Sequence, residues 1–228
     1  MKTKFGSIIV DGRGKIGGHV ASKNRGGSYI RTKVTPANAQ TTFQNGVRNL
    51  FTSLSQAWRG LTQAQRDAWN AAVSDFSRTD IFGDIRNPSG INLFQRLNNV
   101  LNSIGEATIL IPPLPSAVEN VVATSLTAAV GVPAMSLVFD GPVPADTKVK
   151  VFATAPISAG KSYVKNEFRQ IAVLPSAQTS PKNLLADYVA KFGNTGSIGQ
   201  KITVKIIACN SITGQVGSAS QVDVITMA

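Results

Sequence analysis

Cysteine and histidine are almost missing from this chain, with one of each among 228 residues. A single thiol, Cys209, excludes an internal disulfide and any zinc site built from several cysteines. It lies in the apolar run KITVKIIACN and reads as a small buried hydrophobe. A single imidazole, His19, sits among glycines with no third residue to orient it, which argues against a nucleophile–base pair. Long hydrophobic runs are also lacking. No stretch approaches the roughly 18–20 apolar residues that span a bilayer. The short apolar segment after MKTKF has neither the length nor the small-residue cleavage pattern of a signal peptide, so the chain is expected to stay where it is made, in the cytoplasm.

Acidic residues are scarce, 12 against 23 Lys/Arg, and unevenly placed. Residues 1–66 hold eleven of the Lys/Arg and one acid, Asp11, whereas the rest is nearly balanced. A field that lopsided implies an acidic partner, either nucleic acid or an acidic protein surface. Acids this sparse, with none in a pocket-like stretch, also argue against paired-carboxylate catalysis.

The stretch Gly12–Arg31, GRGKIGGHVASKNRGGSYIR, has six glycines and no apolar period. It reads as an extended basic arm, residues 1–36, preceded by a strand or apolar peg at 5–10 and ordered only by a partner surface. Its candidate contacts are Arg13, Lys15, Arg25, Tyr29, Arg31 and Lys33. Gly12 to Gly17 fits the glycine pattern of a dinucleotide-binding turn. That turn must open a helix and be followed by an acid about twenty residues on, and neither is present. No cofactor is implied.

Helical spacing begins at Thr42 and defines a module over residues 37–108. Phe43, Val47, Leu50, Phe51, Leu54, Trp58 and Leu61 form one stripe that Gly60 ends. Thr62 with Gln65 makes a capping box for a second helix, antiparallel to the first. Ser89 opens a third, with Phe94, Leu97, Leu101 and Ile104 inward and Gly105 as its stop. The expected core of the module contains Phe51, Trp58, Trp69 and Phe94. Asp75, Asp80 and Asp84 read as solvated loop charges, because their spacing is not that of a calcium loop; no metal is implied.

A proline-rich connection, 109–117, is the expected boundary. Beyond it, 118–228 shows short alternating runs at 121–130, 134–139, 148–154, 163–173, 201–208 and 222–226. These fit an immunoglobulin- or fibronectin-like sandwich. A helix capped by Ser180, with Pro181 in its first turn and Gly193 as its stop, interrupts it. Ala159-Gly160-Lys161-Ser162 resembles the end of a phosphate loop but lacks the glycine five residues before Gly160, and reads as a β-turn. The expected class is α+β: arm, three-helix module and β-sandwich.

Several motifs recur together: Gly14-Lys15-Ile16-Gly17-Gly18-His19-Val20, Asn24-Arg25-Gly26-Gly27-Ser28-Tyr29-Ile30-Arg31, Thr35-Pro36, Trp58-Arg59-Gly60-Leu61-Thr62, Gln65-Arg66, Trp69-Asn70, Ser89-Gly90 and Thr213-Gly214-Gln215. This string resembles a family of virion structural and virion-associated proteins of tailed bacteriophages and prophages, crAss-like phages among them. The family's usual proline after Asn38 is Ala39 here. The resemblance implies a particle component without catalytic residues. Its expected place is on the capsid as a minor or decoration protein, or else in the neck or tail. The expected partners are other virion proteins and further copies of the chain, with nucleic acid a weaker candidate and membrane none.

Overall fold

A computed structural model describes residues 1–4, 6, 12–130 and 132–226; the expected strand or peg at 5–10 falls almost wholly outside them. The chain divides into two compact units, 1–93 and 94–228.

The leader is not an extended arm. It folds into an antiparallel meander of β1 (Gly14–Ile16), β2 (His19–Asn24) and β3 (Gly27–Thr32). The glycines that argued for disorder occupy the bends: Gly17 has φ 55° between β1 and β2, and Gly27 has φ 101° where the next bend enters β3. Glycine at such angles avoids the Cβ clash other residues would suffer, so a glycine-rich basic stretch can still pair its backbone into a sheet. Met1–Lys4 extend the far edge. The Ile30 N–H donates to the Met1 carbonyl at 2.8 Å and the Thr3 N–H to the Ser28 carbonyl at 3.0 Å.

After an exposed connection comes α1 (Thr42–Gly60), then α2 (Gln63–Ala71) continued by a 3-10 turn at Ala72–Ser74. Both helices open with capping boxes, Thr41/Gln44 and the expected Thr62/Gln65. A small hairpin of β4 (Arg78–Thr79) and β5 (Ile85–Arg86) leads to α3 (Gly90–Ser103). Of the expected module core, Trp69 and Phe94 are buried, Trp58 is half-buried, and Phe51 is exposed. Of the expected stripe on α1 only the C-terminal part is covered. α1 has 19 residues and α2 nine, about 28 Å and 13 Å at 1.5 Å per residue, so α2 is long enough to cover at most half of α1. Phe94 belongs to the second unit rather than to the module, because that unit begins at Phe94, within α3.

The second unit adds β6 (Ala123–Ala129), β7 (Ala134–Phe139), β8 (Thr147–Ala153), β9 (Ile157–Ser158), β10 (Arg169–Leu174), β11 (Lys182–Asn183), α4 (Leu185–Phe192), β12 (Gln200–Asn210) and β13 (Val216–Ile225). One antiparallel sheet runs β10-β8-β12-β13, with β9 beside β12; a second runs β11-β7-β6. Alternation along β12 sends Ile202, Val204, Ile206 and Ala208 into one core with Leu126 and Leu137 of the other sheet and Tyr188 of α4. The other face of β12 offers Ile207 and Cys209 to Leu101 of α3 and Ile104 just beyond it. β12 is therefore covered on both faces at this end, and the thiol is buried as its apolar setting implied.

Two boundaries shift. The strand expected from Tyr163 starts only at Arg169, with turns before it. Ser180-Pro181 does not open α4; the next two residues pair as β11 with β7, and the helix begins at Leu185, where Asn183 Oδ1 accepts its N–H at 2.9 Å. The stop at Gly193, φ 88°, stands as read. Overall the chain is mixed α and β, with antiparallel sheets.

Candidate partner-binding surface

Backbone register decides what the leader presents. Lys15, Val20 and Arg31 face one another across β1, β2 and β3, and Ser22 pairs with Tyr29 two positions along. Side chains of directly paired residues share a face. Lys15, Tyr29 and Arg31 therefore stand on one face, with Ile16, His19 and Thr32 on the other. Across two strand spacings Lys15 and Arg31 are roughly 10 Å apart at their backbones, near the screening length of physiological salt. Arg25 sits at the exposed bend between β2 and β3. Arg13 lies one residue before β1, and Lys33 one after β3, where its N–H donates to the Gly18 carbonyl at 2.8 Å. Five of the six expected contacts are exposed, and Tyr29 is half-buried.

Two cations counted in the leader's field are spent inside the protein. Lys2 Nζ lies 3.6 Å from Asp80 and Lys4 Nζ 3.0 Å from Asp84. Asp80 is not a solvated loop charge, since its side chain is only 2% exposed. Its Oδ1 accepts the N–H groups of Phe82 and Asp84, and its Oδ2 accepts Arg86 Nε at 3.3 Å. Burial alone would raise its carboxyl pKa. The two backbone donors and the Arg86 and Lys2 charges overcome that and hold it below the ordinary value of 3.8. Sequence reasoning missed this clasp because Lys2 and Asp80 are 78 residues apart; the only local sign was an aspartate in a turn ahead of Gly83. The outward basic field thus comes from residues 12–66, which contain no acid at all.

Features weighed for chemistry are accounted for otherwise. Gly14–Ile16 of the glycine motif is strand and no helix follows it. Ala159-Gly160 forms the expected turn, with the Lys161 N–H donating to the Ser158 carbonyl at 3.0 Å and Lys161 Nζ pairing with Glu167 at 2.8 Å. Among the described residues no cluster of three His, Cys, Asp or Glu could hold a metal ion, and no helix is long and apolar enough to cross a membrane. The second unit has an open cleft of about 610 Å³ lined by Val130, Pro133, Leu185, Val189 and Asn194 among others, none of them titratable.

No family model matches the chain, and no curated protein does. Among solved structures it is similar to a β-1,2-glucanase from Parabacteroides distasonis, at 13% identity with a TM-score of 0.30, over 50% of this chain and 14% of that one. A likeness that slight carries no inference about fold or activity. What the protein presents is a basic surface built on a small sheet.

Proposed function

We propose that this chain is a structural protein of a tailed-bacteriophage particle, held on the capsid as a minor or decoration subunit by the basic face of its N-terminal sheet. One observation carries the reading: Lys15, Tyr29 and Arg31 share a face, flanked by Arg13, Arg25 and Lys33, within a stretch that contains no acid. A surface of that sign complements acidic protein. The sequence motifs supply the particle assignment. The two antiparallel sheets that enclose one core in the second unit support an immunoglobulin-like reading of that part.

The test is incorporation. Phage carrying Lys15→Glu/Arg31→Glu should yield particles depleted of the chain, while the purified variant keeps the wild-type circular dichroism. Normal incorporation would remove the proposal. Imaging of the wild-type particle then assigns capsid or neck and tail. A virion DNA-binding role is separated by salt. Four phosphate contacts from Arg13, Lys15, Arg31 and Lys33 would give a slope of about −3.6 in log K against log salt. The capsid reading expects no DNA retention on filters near physiological salt.

A further inference from the structure

The first turns of α1 are a helix already built but unused. Every residue from Val34 to Asn49 is exposed, so no core of its own unit covers this part of the chain. An uncovered helical segment of that length is marginal in water. Here its start is fixed locally. The Gln44 N–H donates to Thr41 Oγ1 at 3.2 Å, Asn45 Nδ2 to the Gln40 carbonyl at 3.2 Å, and Arg48 Nη2 to Asn38 Oδ1 at 2.8 Å. On this preformed helix Phe43, Val47 and Phe51 form a row at spacing four, with 76%, 53% and 57% of their surfaces in water. Scattered apolar residues on a surface are ordinary. A capped helix with three in one row, two of them phenylalanine, has the anchor pattern of helix-mediated recognition.

Charge says what fits there. On the first turns of α1 the one charged side chain is Arg48, and no acid lies anywhere between residues 12 and 66. The first turn of α1 also lacks the acidic residue that would offset the positive end of the helix dipole. A second copy of this chain would bring an equally acid-free helix against it, with Arg48 near Arg48. We infer that the row Phe43-Val47-Phe51 is a docking surface for an acidic amphipathic helix of another protein, its apolar side on the phenylalanines and its carboxylates against Arg48. This surface is separate from the sheet face and does not depend on the particle assignment.

The test uses the full chain and two labelled synthetic helices of roughly 20 residues, each with a leucine stripe, flanked by glutamate in one and lysine in the other. Fluorescence anisotropy should show binding of the glutamate helix only. Phe43→Ser/Phe51→Ser should weaken it at least tenfold. Arg48→Glu, which leaves the apolar row intact, should weaken it several-fold. Tryptophan emission from Trp58 and Trp69 verifies that each variant stays folded. No binding of the glutamate helix, equal binding of the lysine helix, or unchanged binding after the double substitution would overturn the inference. So would a wild-type dimer in sedimentation that disappears in the double variant, since the occupant would then be a second copy.

Discussion

Leu101→Ala tests whether the later turns of α3 belong to the β unit rather than to a helical module. Leu101 is fully buried and packs with Ile104 and Cys209 on the outer face of β12. Gly214 closes on the same place: a Cβ there would overlap the Leu97 carbonyl and meet Leu101 Cγ at 3.1 Å. A site that tight cannot collapse freely around a lost isobutyl group, so the cost falls within the 2–5 kcal/mol usual for such truncations, about 3 kcal/mol. The chain carries its own reporter. Cys209 is the only thiol, it is buried, and burial pushes its pKa up while nearby Lys150 pulls it back in part. Labelling it under native conditions therefore requires the unit to open. If opening is in fast equilibrium, about 3 kcal/mol accelerates labelling by roughly 150-fold. Both tryptophans lie in the first unit and report separately that it stays folded. A fragment of residues 109–228, cut at the proline-rich boundary, should label fast; one of residues 90–228 should label slowly. Equal protection of Cys209 in wild type, Leu101→Ala and the shorter fragment would refute this account of the packing.

Other consequences follow from single groups. Tyr188 is fully buried with its hydroxyl donating to the Thr154 carbonyl at 2.9 Å, so Tyr188→Phe should cost about 1–2 kcal/mol in urea unfolding at pH 7. Burial raises that phenol above the ordinary value of 10.0. Its stabilising effect is full below pH 10 and lost as pH rises toward the folded value, so stability should fall above pH 10, less steeply in Tyr188→Phe. Asp80→Asn should loosen the edge at Met1–Lys4 and speed hydrogen exchange at the Ile30 and Thr3 N–H groups, leaving exchange along β12 unchanged. Because the Asp80 carboxyl is held below its ordinary value, the wild-type clasp should persist at pH 4 and be lost only as pH falls further through the lowered value. Early release near pH 5 would count against it.

Sequence alone determined what depends on near neighbours. The Thr62/Gln65 box, the stops at Gly60, Gly105 and Gly193, the alternating strands and the buried setting of Cys209 each follow from residues a few positions apart, where hydrogen bonding and side-chain period act directly. Tertiary structure decided what depends on partners far along the chain. Whether the glycine-rich leader pairs with itself turned on bends that hold glycine at positive φ, and composition cannot see them. Register, not charge count, put Lys15, Tyr29 and Arg31 on one face. Phe43, Val47 and Phe51 stand in water, although their spacing alone is that of a core. Asp80 could not be told from a solvated acid until the fold brought Lys2 and Arg86 beside it. Periodicity states that a residue has an apolar or charged side to satisfy; only the fold supplies, or withholds, the surface that satisfies it.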